Sequence, residues 1–393
     1  MSTELKLASS SWDQEEINAM QDVIKSGDFS MGKKVIEFEK EFSKYIGSKY
    51  SIMINSGSSA NLLMIAALFF TKENPLKAGD EVIVPAVSWS TTYYPLHQYG
   101  LKLKFVDIDK DTLNFDLKKL SEAISENTKL IFVVNILGNP NNFEEINKIT
   151  KNRGIKIIED NCESLGAKFN NKFTGTFGIM GSYSSYFSHH ISTMEGGLIT
   201  TDNEEIYHIL LSIRSHGWTR NLPKINKITT QKSDDKFLES FKFILPGYNL
   251  RPLEIAAAVG LKQLIKLPKL ISERRENAYL MQQIISESNL FDMQKEIGES
   301  SWFGFALIMK KDIKISRETV FKHLDKLKIE YRPVVTGNFL NQPVCKFMNI
   351  IDNGVMTNAN YIDKNGFYIG NHHYDISYAL NQIGIIEKEI LKK

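Results

Sequence analysis

Ile157-Ile158-Glu159-Asp160-Asn161-Cys162-Glu163-Ser164 is a short apolar run that ends in acids. It closes a series. Residues 81–84, 103–106, 130–134 and 155–158 are each a brief apolar stretch, and amphipathic helical segments separate them. That alternation predicts an α/β fold with a largely parallel sheet. Ligands in such folds bind beyond the carboxyl ends of the strands. Asp160 stands at such an end.

Upstream, Val35, Phe38, Phe42 and Tyr45 mark one face of a helix, and residues 51–54 form a strand that runs into Gly57. Residues 61–70 make a helix apolar nearly all round, which is therefore expected to be buried. From 221 to 240 the chain turns polar and lysine-rich, as a surface insertion or flap would. After Arg251 an Ala-rich helix is expected, then a long amphipathic one carrying Ile271, Leu280 and Ile284, and finally a polar tail. These patterns divide the chain into a large domain over 1–250 and a smaller C-terminal α+β domain over 251–393.

Composition removes several classes of function. The 393 residues carry 48 Lys+Arg and 46 Asp+Glu, a net charge of +2, so no basic surface for nucleic acid or a membrane is expected. The longest apolar run, 62–70, has nine residues, whereas a membrane span needs roughly 20. Glu4, Lys6, Asp13, Glu15 and Glu16 interrupt the N-terminal stretch, which does not read as a secretion signal, and the cytoplasm is the expected compartment. The two cysteines, Cys162 and Cys345, supply neither a disulfide framework nor the thiolates of an iron–sulfur cluster, and no other metal site is expected.

Three clusters carry chemistry. In Asn55-Ser56-Gly57-Ser58-Ser59-Ala60-Asn61, small residues sit between a strand and a buried helix. Free N–H groups at a helix start bind phosphate; a plain serine N-cap is the simpler alternative. Asp160 is placed to pair with a protonated pyridine nitrogen and keep a cofactor ring electron-poor, or it belongs to an ordinary acidic loop. The third cluster is Ser182-Tyr183-Ser184-Ser185-Tyr186-Phe187-Ser188-His189-His190-Ile191-Ser192-Thr193-Met194-Glu195-Gly196-Gly197.

In order along the chain, these clusters resemble the nucleotide-sugar aminotransferases. Those enzymes use pyridoxal phosphate on the aspartate-aminotransferase type of fold (fold type I). The resemblance spans nearly the whole chain. It includes Pro85 with Trp89, Gly166-Ala167 and Gly247-Tyr248-Asn249-Leu250-Arg251 as well as the clusters above. It implies that Gly57, Ser58 and Ser184 hold the cofactor phosphate, Asp160 the ring nitrogen, and Trp89 one face of the ring. It also implies that Asn249 reaches the phosphate of the partner subunit, in a homodimer with shared active sites. Glu163 is implied near the ring hydroxyl or the reacting sugar.

The family pattern places a lysine six residues before Glu-Gly-Gly. Counting back from Glu195 gives His189, and no lysine stands between Lys172 and Lys224. That lysine tethers the cofactor as a Schiff base and shuttles a proton. Histidine does only the second, with an ordinary pKa of about 6.5 that suits a general base. The cofactor, as pyridoxamine or pyridoxal phosphate, is then held without a covalent bond.

A histidine-bearing branch of the family removes the C3 oxygen from nucleotide-linked 4-keto-6-deoxy sugars, and L-glutamate restores the cofactor amine. One type in that branch, acting on a CDP-sugar, carries a cysteine-ligated cluster that two cysteines cannot supply. The other acts on GDP-4-keto-6-deoxy-D-mannose, on the route to the 3,6-dideoxysugar colitose of surface polysaccharide. This chain is similar to the second in His189-His190, Glu163, Ser215-His216-Gly217-Trp218, Arg332-Pro333 and Thr336-Gly337-Asn338-Phe339. His189 is the expected catalytic base. His216, Arg220 and Arg332 are candidates for substrate binding, since arginine grips phosphate or carboxylate with two bonds; a structural hydrogen bond for the histidine and surface ion pairs for the arginines are the alternatives. Two other readings of the whole stay open: an aminotransferase with an unusual proton shuttle, and a non-catalytic descendant.

Overall fold

The computed structural model describes residues 3–311, 313–351 and 354–391. Seven strands form the main sheet: β1 (Tyr50–Ile54), β2 (Glu81–Pro85), β3 (Lys102–Val106), β4 (Thr128–Val134), β5 (Lys156–Asp160), β6 (Met180–Ser184) and β7 (Gly197–Thr201). Their spatial order is β1-β7-β6-β5-β4-β2-β3. The pairs β2–β3, β2–β4, β4–β5 and β5–β6 are parallel. Only β7 reverses, lying antiparallel to both β1 and β6 with Ser184 opposite Gly197 and Ile54 opposite Gly197 on its other edge. The expected α/β fold with a mostly parallel sheet is therefore present, and each strand foreseen from its apolar run is found within two residues of its expected start.

Helices α1 (Gln14–Ser26), α2 (Lys33–Ile46), α3 (Gly57–Leu68), α4 (Ser90–Gln98) and α5 (Glu204–Ile213) accompany this sheet. In α2, Val35, Phe38 and Phe42 are fully buried, as their spacing predicts. The buried apolar helix is α3, which begins at Gly57 rather than 61 and stops at Leu68 rather than 70. Ser56 sets that start: its side chain accepts the Ser59 N–H at 3.1 Å, satisfying a donor that a helix start leaves open.

The second half differs from expectation in two places. The two helices expected after Arg251 are one, α6 (Glu254–Ser286), which runs through Pro268. Proline removes one ladder bond, but the buried residues on both sides of it keep the helix on its neighbours. The expected polar tail is mostly a helix, α7 (Ser377–Leu391), in which Leu380, Ile383, Ile386 and Ile390 are buried; residues 392–393 lie outside the described residues. Between α6 and α7 a second sheet, β8 (Phe291–Met293), β9 (Gly304–Met309), β10 (Tyr331–Arg332) and β11 (Gly366–Gly370), pairs antiparallel in the order β8-β9-β11-β10. The insertion holds a small hairpin, Ile225–Asn226 against Thr230–Gln231, and a short helix, Lys236–Ser240.

We propose a large domain over 1–250 and a smaller one over 251–393, each supported by its own sheet. Their cores share α6. Ala257, Leu264 and Leu267 pack with α2, whereas Ala278, Met281 and Ile285 pack with β9 and α7. Leu5, from the other end of the chain, also packs in that second core.

Glu254 at the start of α6 is buried, and its carboxylate accepts N–H bonds from Gly32 (2.7 Å), Lys34 (2.5 Å) and Val35 (3.2 Å). It thus caps α2 from another helix, and removing it strands three donors, of which the Val35 N–H is buried and the other two are partly so. Glu254→Ala is expected to lower unfolding stability by about 1–3 kcal/mol, read as a lower denaturant midpoint. An unchanged midpoint would show that water replaces the cap.

Candidate active site

The carboxyl ends of the parallel strands converge on one cavity of about 610 Å³. Ser56, Gly57 and Ser58 follow β1; Ser88 and Trp89 follow β2; Asn135 follows β4. Asp160 ends β5, with Cys162 and Glu163 beyond it. Ser184 ends β6, followed by Tyr186, Ser188 and His189. Because β7 is antiparallel, the connection from β6 turns back at this same end, and Glu195 also lines the cavity. The second half contributes Phe303, Arg332 and Tyr368.

Asp160 is held rigidly. Its Oδ2 accepts from Asn61 Nδ2 and Thr92 Oγ1, both at 2.7 Å, and its Oδ1 from the Cys162 N–H at 3.2 Å. Asn61 in turn accepts from Ser182 Oγ at 2.6 Å. Glu159, its neighbour, is wholly buried and receives N–H bonds from Gly175, Phe177 and Gly178. One acid of the pair is structural and the other faces the cavity.

At the start of α3, Ser56 occupies the Ser59 and Ala60 N–H groups. The Gly57 and Ser58 N–H groups have no partner within the chain among the described residues, and both residues line the cavity. A Cβ on Gly57 would meet Ser184 Cβ at 2.6 Å and Cys162 Sγ at 3.0 Å. Glycine is required there for the helix start to lie against β6. Backbone donors, two serine hydroxyls and a helix N-terminus make a cradle for an anion. Trp89, 57% exposed, stands at the mouth. Cradle, acid and indole fit the three parts of a pyridoxal-type cofactor: phosphate, ring nitrogen and ring face. No group of three or more residues suited to a metal ion occurs among the described residues.

His189 and His190 part company. His190 is buried with its Nε2 3.0 Å from Ser301 O. His189 is half-buried and borders the cavity. Burial pushes its pKa down to about 4, and the positive Arg274 adds to the effect. The ring is therefore a neutral base near pH 7. Glu163 moves the other way: burial pushes its carboxyl up to about 7, against the Leu137 N–H bond at 3.0 Å and with the negative Asp160 adding to the rise.

Of the remaining residues singled out from sequence, Arg332 is exposed and borders the cavity, whereas His216, Arg220 and Asn249 do not. His216 packs its ring on Trp218, with centroids 5.2 Å apart. Arg220 lies over the same indole at 4.1 Å and donates to Ser240 O. Asn249 is exposed, accepting from Arg251 Nε at 3.0 Å. Sequence reading missed Phe303, Tyr368 and the Asn61–Thr92 support. The first two come from the second half with no local signal; Asn61 stands in the small-residue cluster at the start of α3, and nothing beside it in sequence points to the acid it meets.

A seven-stranded sheet with one reversed strand, an acid at its centre and an anion cradle at the start of α3 define a fold type I enzyme of the aspartate-aminotransferase kind. The chain belongs to the DegT/DnrJ/EryC1/StrS aminotransferase family, whose profile matches residues 10–373. It is 59% identical, over 97% of its length and 98% of the relative's, to a GDP-4-keto-6-deoxy-D-mannose 3-dehydratase of Yersinia pseudotuberculosis. Two crystal structures of GDP-4-keto-6-deoxymannose-3-dehydratase, each 57% identical, superpose with a TM-score of 0.96 over 98% of this chain and 100% of theirs. One is a histidine-to-asparagine variant with bound GDP-perosamine; the other holds a trapped PLP-glutamate geminal diamine.

The raised carboxyl of Glu163 has a signature in stability. The folded chain prefers the neutral acid, so this group's contribution is fully present below its ordinary pKa of 4.5 and is lost as pH rises through about 7. Glu163→Gln, which keeps an acceptor for Leu137 and cannot ionise, is expected to gain Tm relative to the parent between pH 5 and 8. A Tm difference independent of pH would sink the assignment.

Proposed function

We propose that this chain removes the C3 oxygen of a nucleotide-linked 4-keto-6-deoxy sugar, GDP-4-keto-6-deoxy-D-mannose, using pyridoxamine phosphate that L-glutamate regenerates. The observation that carries the reading is His189 on the cavity wall, where the tethering lysine of the family is missing while the rest of the cofactor cradle is intact. The near-full-length identity to a dehydratase of that name supports it. The bound GDP-sugar and the glutamate adduct of the two crystal structures support the nucleotide and the amino donor.

Gly57, Ser58 and Ser184 would hold the phosphate, Asp160 the ring nitrogen and Trp89 the ring face. When bound, the cofactor supplies an amine for the 4-ketone and an electron sink beside it. His189, neutral and untethered, would act as the base for a proton beside the bound cofactor amine and has no covalent link to break or remake. No lysine lines the cavity among the described residues to return a proton to sugar C4, and loss of the C3 hydroxyl would then be the outcome open to the bound sugar. Glu163, its carboxyl pushed up to about 7 and so shared between acid and carboxylate near that pH, and Arg332 at the cavity rim are candidates to meet the sugar and its diphosphate or the glutamate carboxylate. The atoms balance: the sugar loses one oxygen, glutamate becomes 2-oxoglutarate by gaining one, and the nitrogen departs as ammonia.

A homodimer with shared sites forms part of the reading. Its support is the exposed apolar side chains of Phe237, Leu238, Phe241 and Phe243 near Arg220. His216, Arg220 and Asn249, outside this chain's own cavity, would then serve the partner's. The cytoplasm is the proposed compartment, since nucleotide sugars and glutamate are used there; no helix among the described residues is long and apolar enough to cross a membrane.

Mass spectrometry of the product formed with cofactor, L-glutamate and the GDP-sugar tests the reading. A sugar short of one oxygen, with ammonia and 2-oxoglutarate in equal amounts, is expected. A nitrogen-bearing sugar would make the chain an aminotransferase, and absent turnover with bound cofactor would favour a non-catalytic descendant. His189→Lys is expected to form a tethered cofactor, visible by reducing the link with borohydride, and to lose most dehydration; unchanged dehydration would remove His189 from its role. Gly57→Ala, by filling the cradle, should weaken pyridoxal phosphate binding at least about tenfold, the order of one lost charged hydrogen-bond site, in a fluorescence titration. Unchanged affinity would place the phosphate elsewhere.

A further inference from the structure

Polar bonds do not fix the plane of the His189 ring. Its Nδ1 lies 3.5 Å from Ser188 Oγ, at the limit of a hydrogen bond, and Nε2 has no partner among the described residues. A base must nevertheless point its lone pair at one carbon within a few tenths of an ångström. Packing supplies the restraint. The Phe303 ring sits 5.2 Å from the His189 ring and 5.8 Å from that of His190, centroid to centroid, while Tyr186 touches His189 edge-on at 6.0 Å.

Phe303 is itself anchored from several elements. Its N–H donates to Leu137 O at 3.1 Å, and its C=O accepts from Arg274 Nη1 on α6, also at 3.1 Å. The preceding Trp302 is buried with a left-handed φ of 47°, unusual for so large a residue, and its C=O accepts from Asn371 Nδ2 at 2.9 Å. Ser301 C=O accepts the His190 ring N–H at 3.0 Å. Leu137, also left-handed at 52°, passes the tie on to Glu163. Backbone held in sparsely populated conformations by surrounding bonds is a feature of sites where position matters.

We propose that Phe303 is a positioning residue for the base: its clamped ring sets the orientation of His189 and keeps water off one face of it. The inference rests on the reading of His189 given above. The charged and titratable groups around that histidine are Arg274 on α6, His190 and Tyr186 beside it, and Asp160, Cys162, Glu163, Glu195, Arg332 and Tyr368 on the cavity wall.

The test uses ¹³C-histidine-labelled protein without cofactor, with the His189 ring resonance assigned by its loss in His189→Asn. In Phe303→Leu, that resonance is expected to shift or broaden, and its titration midpoint to move up toward 6.5 as water reaches the ring. In the loaded enzyme, kcat is expected to fall about 10- to 100-fold, as for a misplaced catalytic group, with KM for the nucleotide sugar within about twofold. Phe303→Tyr, which keeps the ring, should restore most of kcat. Phe303→Met gives the same comparison should the leucine variant fail to fold. An unmoved His189 resonance, or a raised KM at full kcat, overturns this proposal alone. Full dehydration by His189→Asn overturns the reading of the base, and this proposal with it.

Discussion

Everything at the site is arranged around one carboxylate. Asp160 leaves the end of β5 and is gripped by Asn61 from α3 and Thr92 from α4. Those helices carry the anion cradle and the Trp89 indole at their starts. The bonds that orient the acid therefore also set the spacing between cradle, ring face and acid. A buried carboxylate without such donors would be costly; with them, it becomes the fixed point from which the cavity is measured. Ser182, bonded to Asn61, extends the same network into β6, the strand that delivers His189.

The reversal of β7 is the second constraint. A parallel continuation after β6 would carry the chain to the far edge of the sheet through a crossover. The antiparallel return keeps residues 185–196 at the cavity end, where Ser184 faces Gly197. A loop tied at both ends in this way is a suitable place for a reactive side chain, because it is near the ligand yet anchored. His189 lies on this loop, at the wall of the cavity.

Much of this was legible in the sequence, and the reasons differ by element. The strands were readable because each is a short apolar run bounded by polar turns, and α3 because its burial on all sides leaves no polar stripe. His189 was readable through spacing to Glu195. Helix α6 reads as two helices in sequence because its apolar stripe changes partners midway, from α2 to β9 and α7, and a sequence records no partner. In place of the expected polar tail there is a helix because Leu380, Ile383, Ile386 and Ile390 recur at helical spacing and are buried, while the charged residues Glu387, Lys388 and Glu389 gather near its end. Phe303 and Tyr368 reach the cavity only through the pairing of β9 with β11, a contact between segments more than fifty residues apart. The places of His216, Arg220 and Asn249 outside the cavity could not be read from periodicity, since a local pattern does not say which distant segments a side chain meets.

The sharing of α6 bears on how the molecule comes apart. Its first half is part of the core under α2, and its second half part of the core under β9 and α7. Neither sheet can lose its packing without stripping apolar surface from a helix the other needs, and Leu5 ties the chain's beginning into the later core as well. The common helix therefore couples the two cores energetically: unfolding of either one exposes apolar surface of the other. The same coupling means that neither half, cut free at residue 250, keeps a complete core of its own.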